Sequence, residues 1–312
     1  MTHLHAAALA RVPDGARPRR RLPDGVVLGA LLLPAVSLLA ATQFWPLARS
    51  AWISVHDWTL SRSPVMGGFV GLDNYARVLG DPQFTGSLGF TITLALVSTT
   101  LSLAGGLLLA LLTVGEGFRL RLARALLLFP MVIAPVAVGT IWRMILAARV
   151  GTLNNGLGAL GLPGPNWLGE PWLARLSLAV IDAWQWTPFV MIVLAAALTS
   201  LPADVLRAAA MDGAGRWTIL RRIVLPMILP VVLLVAMFRL IDALMTLDVV
   251  FTTTGGGPGF ATQTLSFWIY QQGLRYFNIS YAAAASWLLL GLCFAVALLF
   301  LAWRRRVMRW QA

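Results

Sequence analysis

From Pro82 to Gly115 the chain has no charged side chain. About 20 mostly apolar residues in a helix are enough to cross the hydrocarbon core of a bilayer, because the helix bonds its own backbone polar groups internally. A water-soluble helix of that length needs a polar face. This interval has no charged side chain to build one, which commits the chain to a membrane more firmly than any motif does. Composition extends the point to the whole molecule. Of 312 residues, 59% are hydrophobic and 12% charged, against about 25% charged in soluble domains. So few charges cannot cover one or two soluble domains of this length. Disorder and collagen-like structure are excluded on the same ground. The single cysteine, Cys293, lies in an apolar run, so neither a disulfide scaffold nor a cysteine metal cluster is available. Thirteen Trp against four Tyr fit two interfacial belts.

Segmentation gives six transmembrane helices. The interval from Gly25 to Ala48 is uncharged and supports a first span over about 26–48. The cluster Arg17, Arg19, Arg20 and Arg21 ahead of it imitates a signal-peptide n-region. No small-x-small site closes the run, where Phe44, Trp45 and Pro46 stand instead, so the segment is read as retained. The second span falls at about 88–112 and the third at about 125–147. Pro130 and Pro135 in the third predict kinks or partial unwinding. The fourth runs over about 176–199, the fifth over about 225–250 and the sixth over about 280–303. Residues 1–24 and 304–312 are then tails, and 25–303 is the membrane domain.

All 24 basic residues are arginines, against 12 acidic residues. In a soluble chain this would suggest nucleic acid; here topology absorbs it and no nucleic-acid partner is expected. With the N-terminus inside, the inner segments hold Arg11, Arg17, Arg19, Arg20, Arg21, Arg119, Arg121, Arg124, Arg207, Arg216, Arg221, Arg222, Arg304, Arg305, Arg306 and Arg309. The outer loops hold only Arg49, Arg62, Arg77, Arg149, Arg175 and Arg275. The positive-inside rule therefore predicts both termini in the cytoplasm.

The inner loop at 201–224 does not look like a linker. Pro202 suits a helix start, residues 203–211 are good helix formers, and Asp212-Gly213 signals a turn or C-cap. A second helix begins near Gly215 and runs towards Pro226. This is a short helix–turn–helix with a small apolar ridge. It reads equally as an ordinary interfacial connection and as a docking element, since alanine ridges let a partner approach closely.

The segment resembles the EAA loop of inner-membrane permease subunits of binding-protein-dependent ABC importers. Ala208-Ala209, Met211-Asp212-Gly213-Ala214 and Leu225-Pro226 stand in the family's order. Two positions depart from it: Arg207 stands where the family keeps Glu, and Leu220 where it usually has Phe. The resemblance implies that Leu206, Arg207, Ala208, Ala209, Met211, Asp212, Gly213 and Ala214 couple to an ATP-binding subunit. Arg207 would then meet an altered partner contact or face solvent. Phe69 to Tyr75, Asp81 to Phe84, Trp167-Leu168, Thr254 to Pro258 with Thr262 and Thr264, Tyr270-Gln271-Gln272 and Tyr281-Ala282 resemble the carbohydrate-type branch. That branch contains the maltose, glycerol-3-phosphate and multiple-sugar permeases. It implies a type I importer permease fold in a bacterial inner membrane. Its implied partners are a second related permease, two ATP-binding subunits, a soluble solute-binding protein and membrane lipid. ATP and Mg belong to the partner, and this chain needs no cofactor, metal or catalytic residue. The first external loop, about 49–87, leaves no room for the large extra domain of some members, and Gly151–Pro171 is expected on the receptor side.

Within the spans, ionisable groups are costly and face partners or cavities. Arg239 and Asp242 share a helical face and read as a structural ion pair or as path lining. Asp182, Trp184, Gln185 and Trp186 form a polar–aromatic patch suited to a sugar or to interface anchoring. Asp248, preceded by Leu247 where the family has Phe, is a cap, a loop anchor or a solute contact. Gly105-Gly106 reads as close helix packing. Gly255-Gly256-Gly257 lacks the Lys-Ser/Thr of a phosphate loop. The candidate path is therefore Asp182, Trp184, Gln185, Arg239, Asp242 and Asp248. The expected function is ATP-driven import of a sugar or sugar-like solute, glycerol phosphate included. The alternatives are a proton-coupled carrier using Asp242 and an integral membrane enzyme. The latter is disfavoured because His3, His5 and His56 do not cluster within spans.

Overall fold

The computed structural model describes residues 24–308 apart from Glu116. The N-terminal tail with Arg11, Arg17, Arg19, Arg20 and Arg21, and Arg309 at the other end, lie outside the described residues. The chain divides into two units, residues 1–50 and 51–312.

In the first unit, α1 (Asp24–Leu39) passes through a π-helical turn, Ala40–Phe44, into α2 (Trp45–Ser54), which ends in the second unit. The turn ends two residues before Pro46. Proline cannot continue a regular ladder, and a wider turn just ahead of it accommodates the ring.

The second unit is all helical. After α3 (Asp73–Leu79) comes α4 (Pro82–Thr113). Asp81 caps α4 by accepting from the Gln83 N–H at 2.7 Å, with Pro82 at the first helical position. Three short helices follow: α5 (Phe118–Leu127), α6 (Phe129–Val132) and α7 (Pro135–Ile145). Then come α8 (Thr152–Ala159), α9 (Pro171–Thr199), α10 (Ala203–Met211) and α11 (Arg216–Ile219). A second π-turn, Leu220–Val224, leads into α12 (Leu225–Leu244), again two residues before a proline, Pro226. The chain closes with α13 (Asp248–Thr253), α14 (Leu265–Tyr270), a third π-turn at Gln271–Arg275 and α15 (Ile279–Met308).

Among the described residues five helices are long and apolar enough to cross a membrane: Leu31–Ser54, Pro82–Thr113, Pro171–Thr199, Arg216–Leu244 and Ile279–Arg304. The expected third span, 125–147, is not one helix. Ile133 and Ala134 are extended (ψ 133° and 136°); Ala134, the residue before Pro135, is driven out of the helical region by the ring, and Pro135 restarts the helix. The expected fifth span, 225–250, also differs. It begins earlier, continuous with α11, and stops at Leu244. Thr264 Oγ donates to the Thr246 carbonyl at 2.9 Å, which diverts a group that a continuing helix would use internally.

The core of this unit is where α4, α9 and α12 meet. A Cβ on Gly106 would lie 2.5 Å from Val190 Cγ1 and 3.0 Å from the Met191 amide, so glycine is what lets α4 lie against α9. Ala110, Val190, Met191, Leu194 and Val235 close one end of this junction. Phe90, Leu94, Ile181 and Val250 fill the middle, and Phe84, Trp268 and Ala284 pack where α14 and α15 join.

Candidate functional site

Asp182, Gln185 and Trp186 sit at i, i+3 and i+4 on α9 and so project from one face. Arg239 and Asp242, at i and i+3, do the same on α12. Ser98 of α4 completes the cluster. Arg239 is 1% exposed, and a guanidinium at that depth is tenable only when its charge is paired; its Nε has no partner among the described residues. Its Nη1 donates to Asp242 Oδ2 at 2.6 Å. Its Nη2 donates to Ser98 Oγ at 2.7 Å and to Asp182 Oδ2. Ser98 Oγ also donates to Asp182 Oδ2, and the guanidinium lies 5.7 Å from the centre of the Trp186 ring. Asp182 is buried with the arginine, whereas the Asp242 side chain is 48% exposed. The cluster thus joins a dry interior to an accessible surface.

That surface belongs to a cavity of about 310 Å3, whose lining includes Pro135, Asp182, Gln185, Trp186, Asp242 and Asp248. Four of the six residues expected on the path therefore surround one space. Arg239 lies behind its wall and holds two of the lining carboxylates in place. Trp184 is not part of it: this ring turns the other way and meets Trp142 edge-on, centroids 5.4 Å apart. Asp248 opens α13; its carbonyl accepts from Thr252 Oγ at 2.8 Å, while its carboxylate makes no cap, ion pair or hydrogen bond among the described residues and stands free on the cavity lining. Gln185 Nε2 donates to the Ile133 carbonyl at 3.2 Å. The proline break frees that carbonyl, which connects the broken third segment to the site.

Sequence reading left out Ser98, Pro135 and Thr246 as cavity-forming residues, and noted Trp186 without placing it on the path. A signal for Ser98 existed. Ser87, Thr91, Ser98 and Ser102 are all buried on α4, a stripe of small hydroxyl residues where a lipid-facing helix would have none.

The loop after α9 is built for exposure. Gly213 has φ +79°, the Gly213 amide donates to the Ala210 carbonyl at 3.1 Å, and the Ala214 amide donates to the Ala209 carbonyl at 3.1 Å. This is a Schellman closure with glycine at the left-handed position. Arg207, Ala208, Met211, Asp212 and Gly213 are exposed, while Leu206, Ala209 and Ala214 are half-buried. Arg207 faces solvent and reaches only Asp204, at 3.0 Å, with both side chains mostly exposed. Such a pair contributes about 0–1 kcal/mol.

The glycine run is structural. Gly255 and Gly256 have φ +60° and +86°, and a Cβ on Gly256 would lie 2.8 Å from the Phe267 ring. The loop is then tied down by Thr264 to Thr246, and by the Leu265 amide to Thr91 Oγ at 2.7 Å, which buttresses the cavity wall. A larger cavity, about 600 Å3, is lined by residues including Trp58, Arg62, Arg77 and Asn278, away from every expected path residue. No group of His, Cys, Asp and Glu among the described residues is arranged to hold a metal.

A bundle of long apolar helices, interrupted by proline and enclosing a polar cavity, defines a multi-pass membrane permease. Comparison with known proteins identifies the kind. Residues 102–309 match the family described as "Binding-protein-dependent transport system inner membrane component". The probable ABC transporter permease protein y4oQ of Sinorhizobium fredii is 36% identical over 280 residues, covering 89% of this chain and 90% of that protein. The trehalose/maltose transport system permease protein MalF of Thermococcus litoralis is 33% identical, covering 80% of this chain and 82% of its own. A chain of the bacterial alginate ABC transporter, solved in complex with its alginate pentasaccharide-bound periplasmic protein, shares the fold. Its TM-score is 0.79 at 23% identity, over 91% of this chain and 96% of that one. The chain belongs to the family of inner-membrane components of binding-protein-dependent transport systems.

Proposed function

We propose that this chain is one of two membrane-spanning subunits of an ATP-driven importer for a sugar or sugar-like solute. The observation that carries the reading is the largely exposed end of α10, closed by the glycine turn at Asp212–Gly213, on a chain of this family. A rigid, small-residue protrusion fits a cleft on an ATP-binding subunit. Two such subunits dock inside, a second related permease completes the bundle, and a soluble binding protein delivers solute outside. ATP and Mg act in the docked subunits. The third segment crosses as α5 to α7 despite its proline break, which makes six crossings with both termini in the cytoplasm. The Thermococcus relative, named for trehalose and maltose, supports the solute class. The cavity bounded by Asp182, Gln185, Trp186, Asp242 and Asp248 is the path through this subunit. Closure of the ATP-binding subunits pushes on residues 203–214 and rocks α9 and α12 against the rest.

Gly213→Val tests the coupling. A β-branched residue at positive φ is strained by about 1–3 kcal/mol, yet the site is open and distant from the core. Membrane insertion should persist, while co-purification with the ATP-binding subunit and ATP-dependent uptake fall at least about tenfold. Gly213→Asn, which tolerates this conformation, should retain both. Uptake that continues when the partner cannot hydrolyse ATP would instead establish a proton-coupled carrier.

A further inference from the structure

The hydrogen-bonding groups left free around the 310 Å3 cavity are predominantly acceptors. Arg239, the cation behind the wall, has committed Nη1 to Asp242 and Nη2 to Ser98 and Asp182, and only its buried Nε has no partner among the described residues. Gln185 is 2% exposed, and its Nε2 is engaged with the Ile133 carbonyl, while its Oε1 has no partner. A buried amide oxygen of this kind favours a ligand that brings it a donor. Asp248 and the second oxygen of Asp242 are also unengaged among the described residues. The donors among the lining side chains, the Trp186 indole and the Thr246 hydroxyl, are neutral, and none of the described lining residues is cationic. Asp182, Asp242 and Asp248 against Arg239 leave a formal excess of two negative charges.

The geometry points to a charge filter: the path through this subunit takes neutral or cationic polyhydroxylated solutes and rejects anionic ones. This rests on the reading of the chain as a subunit for sugar-like solutes and narrows it, setting aside phosphorylated polyols. Hydroxyls supply the donors that Gln185 Oε1 and the aspartates lack, and the C–H face of a sugar ring suits Trp186. A carboxylate, phosphate or sulfonate brings acceptors where acceptors already crowd. Repulsion at about 7 Å in a wet cavity weakens binding by roughly five- to tenfold for each uncompensated charge.

The test is equilibrium binding of glucose, glucosamine and glucuronate to the complete importer complex in nanodiscs, with the external binding protein omitted. Glucose and glucosamine should bind, and glucuronate should bind at least about thirtyfold more weakly than glucose. Asp248→Asn should narrow the glucose-to-glucuronate ratio about fivefold, and Asp248→Glu, which keeps the charge, should preserve it. Glucuronate binding within threefold of glucose would overturn the filter while leaving the sugar reading intact. So would an Asp248→Asn ratio unchanged from the parent. Binding of none of the three sugars would overturn the sugar reading and the filter with it.

Discussion

Arg239 shows how much a single buried charge can organise. It is held by partners on three helices, and removing it strands Asp182 in a dry interior. Breaking a buried pair costs about 3–5 kcal/mol, whereas replacing both partners with apolar groups is often neutral. Arg239→Met should therefore lower the thermal unfolding midpoint of the detergent-solubilised protein markedly, and adding Asp182→Leu should recover most of the loss. A double variant no more stable than the single one would show that the pair is not what holds this junction. The Arg239–Asp242 relation was readable in the sequence, because residues three apart on a helix share a face. Its link to Asp182, 57 positions earlier, was not, because no helical period connects residues on different elements. Trp184 misled for the opposite reason. It sits among the right neighbours in sequence, but one residue along a helix is a turn of about 100°, enough to aim it at Trp142 rather than at the cavity.

Helix contact is set by Gly106, where no side chain fits. Gly106→Val should displace Val190 and open the α4–α9 seam, at a cost of about 1–3 kcal/mol or more. Gly105→Ala meets only the Thr187 side chain, 3.3 Å away, and should be tolerated. Protease resistance of the two purified variants checks the contrast. Equal resistance would remove Gly106 from the contact. The breaks were unevenly legible. Pro130 and Pro135 announce the interruption of the third segment, since proline acts on its own chain neighbours. The end of α12 at Leu244 carries no such mark, as Met245-Thr246-Leu247 is as apolar as what precedes it. That helix stops because Thr264, from the far side of the glycine loop, binds the Thr246 carbonyl, and a hydrogen bond across the fold is invisible to local pattern.

At the scale of the molecule, arginine placement and hydropathy predict which loops face which side. In a Cys293→Ala background, Leu162→Cys should react with a membrane-impermeant maleimide on intact cells. Phe118→Cys, 71% exposed in the parent and outside the docking loop, should react only in inside-out vesicles. The reverse pattern would overturn the orientation with both termini inside. The sequence by itself determined that this protein is an all-helical membrane chain, where most of its long segments lie, and that a helix over 203–211 closes on a turn at Asp212-Gly213. These depend on composition, on periodicity and on residues whose conformational limits act locally. Only the tertiary structure decided that Asp182, Gln185, Asp242 and Asp248 share one cavity, that Arg239 stands behind it, and that its free groups are predominantly acceptors. Those properties arise where α4, α9 and α12 converge with α7 and α13. Convergence is set by close packing between helices far apart in the chain, a relation that spacing within any one of them does not contain.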